Sequence, residues 1–140
     1  MEECGPTAQG KVSRVESPVP SVLCEVGALA ADASDGAAVR WKLAESGRQL
    51  DANVVRLTAG QRVDAHTEPD LDVLLLVLAG DGTLESAGPD EPLAAGALVW
   101  LPHGSTRALV AGPAGLSYLT VHRRRAGMQI GRRPSGPAAG

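Results

Sequence analysis

Most of the chemistry this chain can offer lies with its three histidines: His66 in "AHTE", His103 in "PHG" and His122 closing "YLTVH". His66 stands two residues before Glu68, so on a strand both side chains project from one face. A histidine beside a carboxylate suits a general base with an orienting partner, which makes His66 and Glu68 the candidate catalytic pair. Two histidines with one carboxylate is also a recognised iron arrangement, and if a metal is bound, the set that would hold it is His66, Glu68 and His122. His103, between Pro102 and Gly104, occupies a turn position that aims outward. Ser105 lies close to His103 but has no evident acidic third member, so nucleophilic catalysis is not supported. Gly80-Asp81-Gly82 reads as a hairpin turn rather than a phosphate cradle, because no helix start follows it.

The elements that must position these residues are mostly strands. From Ala38 the apolar period is two: Val39, Trp41 and Leu43 alternate with Arg40 and Lys42, and "ESGR" looks like a turn into "LDANVVRL", where Asn53, Val55 and Leu57 share a face. Further short runs follow at residues 61–68, 72–79, 83–86, 92–94, 97–101, 106–110 and 116–122. They are separated by turn chemistry at "GDG", "AGPDEP" and "AGPAG". Eight or nine short strands at this spacing predict an all-β antiparallel sandwich or barrel over residues 38–125, with no room for parallel crossovers. Ahead of it, residues 21–37 hold a short helix, with Val22, Leu23, Val26 and Leu29 at helical spacing and Ser21 as its cap, and then a linker. Residues 1–20 and 126–140 mix Gly, Pro, Ser and charge without periodicity and read as disordered tails.

With 140 residues, one domain with a sizeable core is expected. Aromatics are only 2% and there is no Phe, so Leu, Val and Ala must fill that core. The formal charge of −3 gives no overall case for nucleic acid or an anionic membrane. The basic run Arg123 to Arg125, with Arg132 and Arg133, reads as a solvated tail. Cys4 and Cys24 have no metal-binding or disulfide pattern around them and are expected as free thiols in a reducing cytoplasm. The sequence opens without an apolar leader, and its longest apolar run, Val73 to Ala79, falls far short of the roughly 20 residues that span a bilayer. Secretion and membrane insertion are not expected.

The stretch "GQRVDAHTEPDLDVLLLVLAG", Gly60 to Gly80, resembles the first of two motifs that mark the cupin family, G(X)5HXH(X)3-4E(X)6G. Gly60, His66, Glu68, Val73 and Gly80 fall at its spacing. The second motif, G(X)5PXG(X)2H(X)3N, is matched by Gly96, Pro102 and Gly104, while Arg107 and Ala111 stand at its histidine and asparagine positions. The resemblance covers roughly residues 39–121 and implies a double-sheet jelly-roll barrel.

It also implies a metal held by His66, with Glu68, Val73 and Arg107 in place of the remaining ligands. Valine has no lone pair, and arginine is a permanent cation. The expectation is therefore a barrel without a metal cofactor, in which a Glu68–Arg107 ion pair, with His66 beside it, fills the metal's place; iron, manganese, nickel or zinc on the alternative ligand set is the competing expectation. By this resemblance, Asn53, His66, Glu68, Trp100, Arg107 and Tyr118 line a pocket for a small molecule. A binding or sensory barrel and an enzyme, either a metal-dependent oxygenase or isomerase or a metal-free isomerase with His66 as base, are the two readings. The resemblance further implies a homodimer, to which the apolar Leu74 to Leu78 strand contributes.

Overall fold

A computed structural model of the chain describes residues 18–32 and 36–125. Apart from residues 18–20, the expected tails, with Cys4, Arg132 and Arg133, lie outside the described residues. Strands dominate: α1 (Val26–Ala31) precedes β1 (Ala38–Lys42), β2 (Leu50–Leu57), β3 (Arg62–Thr67), β4 (Val73–Ser86), β5 (Glu91–Ala94), β6 (Leu98–Leu101) and β7 (Thr106–Arg123). All pairings are antiparallel.

The backbone of the fold is the long ribbon formed by β4 and β7, paired from Val73↔His122 to Ser86↔Arg107. At its first end the ribbon is flanked by β2, which carries β1, on the β7 side and by β6 on the β4 side. At its other end it is flanked by β3 and β5. Side chains from both ends line one cavity, so the ribbon is folded over on itself and the two ends face each other. The architecture is the expected antiparallel roll.

The fold of the ribbon corrects two expected turns. Residues 80–82 and 111–115 do not reverse the chain; both lie inside continuous strands. Gly80 has φ of +80°, and a Cβ there would meet the Gly115 carbonyl oxygen at 2.1 Å. A Cβ on Gly82 would meet the Val110 carbonyl oxygen at 2.4 Å. The glycines let two backbones approach where the ribbon bends, with register irregularities at Val77/Ala79 and Gly80/Gly82. Four expected short strands thus fuse into two long ones.

The helix is also shorter than expected. It starts at Val26, with Glu25 at its cap position and no side-chain cap, so Ser21 caps nothing. Gly27 and the absence of a cap leave tertiary contact to hold it. That contact comes from β7: Ser117, fully buried, donates its hydroxyl proton to the Ala30 carbonyl at 3.0 Å and accepts from Arg56 Nη1 at 2.9 Å.

The core is aliphatic, as a chain without Phe requires. Leu75, Val77, Leu84, Leu109 and Leu116 pack with Tyr118 between the two halves. No helix among the described residues is long and apolar enough to cross a membrane.

Candidate functional site

Between the halves lies an open cavity of about 230 Å³. One wall comes from β2, β4 and β7, whose alternation points Val55, Val73, Leu75, Tyr118, Thr120 and His122 inward. The facing wall comes from β3 and the start of β7, with Val63, His66, Arg107 and Leu109. A register shift between Val63 and His66 inserts an extra residue in β3, so both reach the cavity despite their odd separation. His66 pairs directly across from Arg107, while Glu68 and Arg125 stand beside the same space.

Arg107 is the unusual member. It is a cation with 6% exposure, and burial pushes its guanidinium pKa below the ordinary value, against the opposing field of Glu68. Its Nη1 donates to the Ser105 hydroxyl at 3.0 Å and to the Ser105 carbonyl at 3.4 Å. The N–H groups on Nε and Nη2 have no hydrogen-bond partner among the described residues, and they are not sealed from solvent. The hydroxyls of Tyr118 and Thr120 are likewise unpartnered among the described residues. Burial pushes the Tyr118 pKa up to about 12, which keeps its O–H protonated.

The expected Glu68–Arg107 ion pair is not formed. Glu68, with only 11% of its side chain exposed, places Oε1 at 2.5 Å from Arg125 Nη2 and accepts the Asp70 N–H on Oε2 at 2.9 Å. The Arg125 guanidinium holds the Glu68 carboxyl below the usual carboxylate range. Arg125, expected in a solvated basic run, takes the role assigned to Arg107. The reason is geometric: β7 ends at Arg123, and the segment that follows it brings Arg125 over Glu68.

The ring nitrogen Nδ1 of His66 faces the Asp64 carbonyl at 3.3 Å, and that of His122 faces the Arg123 carbonyl at 2.7 Å. Because carbonyls only accept, Nδ1 carries the proton in both, leaving the Nε2 lone pair free in the neutral rings. Glu68 therefore does not orient His66. His66, Glu68 and His122 border one cavity, yet among the described residues no group of three His, Cys, Asp or Glu side chains is placed to hold a metal ion. With valine and arginine at two of the positions implied by the resemblance and Glu68 engaged by Arg125, the donor set does not fit the metal.

Two other expected lining residues lie elsewhere. Trp100 is 58% exposed and pairs with Leu74 on the outer face, because Leu101 on its strand turns inward. Asn53 is half-buried opposite Thr120 but does not line the cavity. Thr120 was missed, although it shares strand parity with Tyr118 and His122.

His103 is exposed, as its turn suggests. Its acidic partner is Asp72: the backbone N–H and Nδ1 of His103 both meet Asp72 Oδ1, at 2.9 and 2.8 Å, and draw the Asp72 pKa down. The Ser105 hydroxyl donates instead to the Pro102 carbonyl at 2.7 Å, so Ser105 and His103 form no nucleophilic triad among the described residues.

No family model and no curated protein matches the sequence. Among solved structures the chain is similar to a conserved Streptococcus pyogenes protein of unknown function, with 20% identity and a TM-score of 0.62 over 83% of this chain and 98% of that one. It is similar to the Cnp3 cupin domain of Schizosaccharomyces pombe, with 14% identity and a TM-score of 0.54 over 59% of this chain, and to a cupin-superfamily sugar phosphate isomerase from Silicibacter pomeroyi, with 25% identity and a TM-score of 0.51 over 55% of this chain. The chain spans 61% and 52% of the lengths of these last two. These similarities agree with the antiparallel roll described above, and the chain has the cupin fold.

Proposed function

We propose that the chain is a small-molecule-binding or sensory protein of the cupin fold that works without a metal, with the cavity between its sheet halves as the binding site. The observation that carries this reading is Arg107, a buried cation that lines the cavity and whose remaining donors are used by no other described residue. Burying such a group without a partner is unfavourable, and a bound polar ligand would offset that cost. The cavity is slightly smaller than the roughly 300–1,000 Å³ typical of ligand clefts, which suits a small metabolite.

A second reading, an isomerase, is favoured by the free Nε2 atoms of His66 and His122 on one cavity, each able to accept a proton. The Silicibacter relative is named a sugar phosphate isomerase. This reading is weakened by Glu68, which serves Arg125 rather than His66.

A thermal-shift screen with sugars, sugar phosphates, nucleotides and organic acids tests the proposal. A saturable rise in Tm that is reduced in His66→Ala is expected; no rise with any class would sink it. Turnover of a sugar phosphate would move the assignment to the isomerase.

We further infer a homodimer, formed through the apolar outer face of β4, β6 and β7, where Trp100 and Leu98 stand exposed. Nucleic acid is not a proposed partner, since Arg125 is engaged by Glu68 and Arg123 donates to the Asp70 carbonyl. Cys24 is a free thiol, which fits a reducing cytoplasm.

A further inference from the structure

We infer that the cavity takes a small aliphatic carboxylate, a monoanion with an oxygen substituent next to the carboxyl group, such as a branched 2-oxo or 2-hydroxy acid. This deepens the binding function proposed above and rests on it. The described residues leave a specific set of cavity atoms unused. Arg107 presents N–H groups on Nε and Nη2, adjacent donors that match the two oxygens of a carboxylate. Tyr118 adds a hydroxyl and Thr120 a second, both open to the same space. The unused set is thus rich in donors and carries one fixed positive charge, because the charge of Glu68 is already matched by Arg125.

Charge matching selects among anions. One buried cation neutralises one negative charge, and a phosphate dianion would leave a second charge desolvated and unpaired. The rest of the cavity wall selects the carbon skeleton. Val55, Val63, Val73, Leu75, Leu101 and Leu109 offer hydrocarbon beside the polar groups, which suits a short branched chain better than a polyhydroxylated sugar. Tyr118, Thr120, His66 and His122 line the same cavity as Arg107, so an oxygen on the carbon next to the carboxyl group has hydroxyl and imidazole groups there to bond with.

The probes are sodium 3-methyl-2-oxobutanoate, the corresponding neutral amide, and isobutyl phosphate, each titrated calorimetrically into the full chain at constant ionic strength. The expected result is binding of the carboxylate, with the amide and the phosphate ester weaker by about tenfold or more. Arg107→Gln should weaken the carboxylate by a similar factor and leave the amide unchanged. Tyr118→Phe, which removes only the hydroxyl, should weaken the carboxylate by several-fold; it supplies the test should Arg107→Gln fail to fold. Equal affinity for carboxylate and amide, tighter binding of the phosphate ester, or full carboxylate affinity in Arg107→Gln would overturn the anion assignment while leaving a small-molecule site in place. Failure of all three probes overturns the assignment, and the broader thermal-shift screen then decides separately whether the cavity binds anything else.

Discussion

At the scale of single residues, the site is a redistribution of charge. Glu68 has gained Arg125, Arg107 has gained nothing beyond Ser105, and the two facts belong together: a carboxylate on Arg107 would have closed the cavity's only buried cation among the described residues to a ligand. The Glu68–Arg125 pair also fixes a pH dependence. The folded chain holds the Glu68 carboxyl below its ordinary value of 4.5. The pair's stabilisation is therefore fully present above that value and is lost as pH falls through the lowered folded pKa. Because Arg125 is half exposed, the contribution is screened and amounts to about 0.5 kcal/mol. Glu68→Gln should lower stability by about that amount at pH 7, and its urea-unfolding stabilities should converge with those of the parent as pH is lowered toward 3. A constant difference across that range would show that Glu68 acts through packing or hydrogen bonding instead. The sequence could show that His66 and Glu68 share a face and that valine and arginine displace two ligands. It could not show which arginine reaches Glu68, because that depends on the path of the chain after β7 ends at Arg123.

Elements explain the rest of what was and was not legible. The strands β1 and β2 were readable from their period of two, and the antiparallel roll from the regular spacing of short strands and turns; an irregularity between Val39 and Trp41 nevertheless breaks the alternation in β1 and leaves Val39 exposed rather than on the buried face. The long ribbon was not readable, because glycine serves equally in a reversal and at a close approach of two backbones. "GDG" and "AGPAG" look like turns by composition, yet Gly80 and Gly82 lie within β4 at the point where it meets Val110 and Gly115. Trp100 was misassigned for a related reason: parity within a four-residue strand says that neighbours alternate, and only the burial of Leu101 says which side is inside. The ribbon bend makes a sharp prediction. Gly80→Ala must move the Gly115 carbonyl and hold alanine at a positive φ, and should destabilise by about 3 kcal/mol or more. Gly88→Ala, where the nearest atom to an added Cβ is the Ser86 hydroxyl at 3.7 Å, should change stability by less than about 0.5 kcal/mol. Denaturant midpoints of the two variants, measured side by side, check this. Similar values for both would mean that these glycines are turn residues after all.

For the whole molecule, the inner and outer faces of the roll pose different problems. The inner face is closed by the other half, and α1 covers part of the outer face through Ala30, Val54 and Ser117. The remainder is open: Trp100, Leu74 and Val121 form one cross-strand row, and Leu98, Leu76 and Leu119 form the next. Trp100 is 58% exposed and Leu98 67%, on a face with no charged side chain in either row. Isolated apolar residues on a surface need no explanation, but two adjacent rows make a contiguous patch of a kind that monomers rarely leave uncovered. A second copy related by a two-fold axis would lay the same rows against themselves, sheet on sheet at about 10 Å. Sedimentation velocity should then show a dimer, and Trp100→Glu, which puts a charge in the centre of that layer, should shift the population to monomer. The same variant should leave carboxylate binding intact, because Trp100 faces away from the cavity. Fluorescence gives a second reading: Trp100 should emit like a buried indole at concentrations where the dimer forms and shift to the red on dilution. A parent chain that sediments as a monomer throughout would assign the patch to another partner and leave the cavity, on the opposite face of the same strands, unaffected.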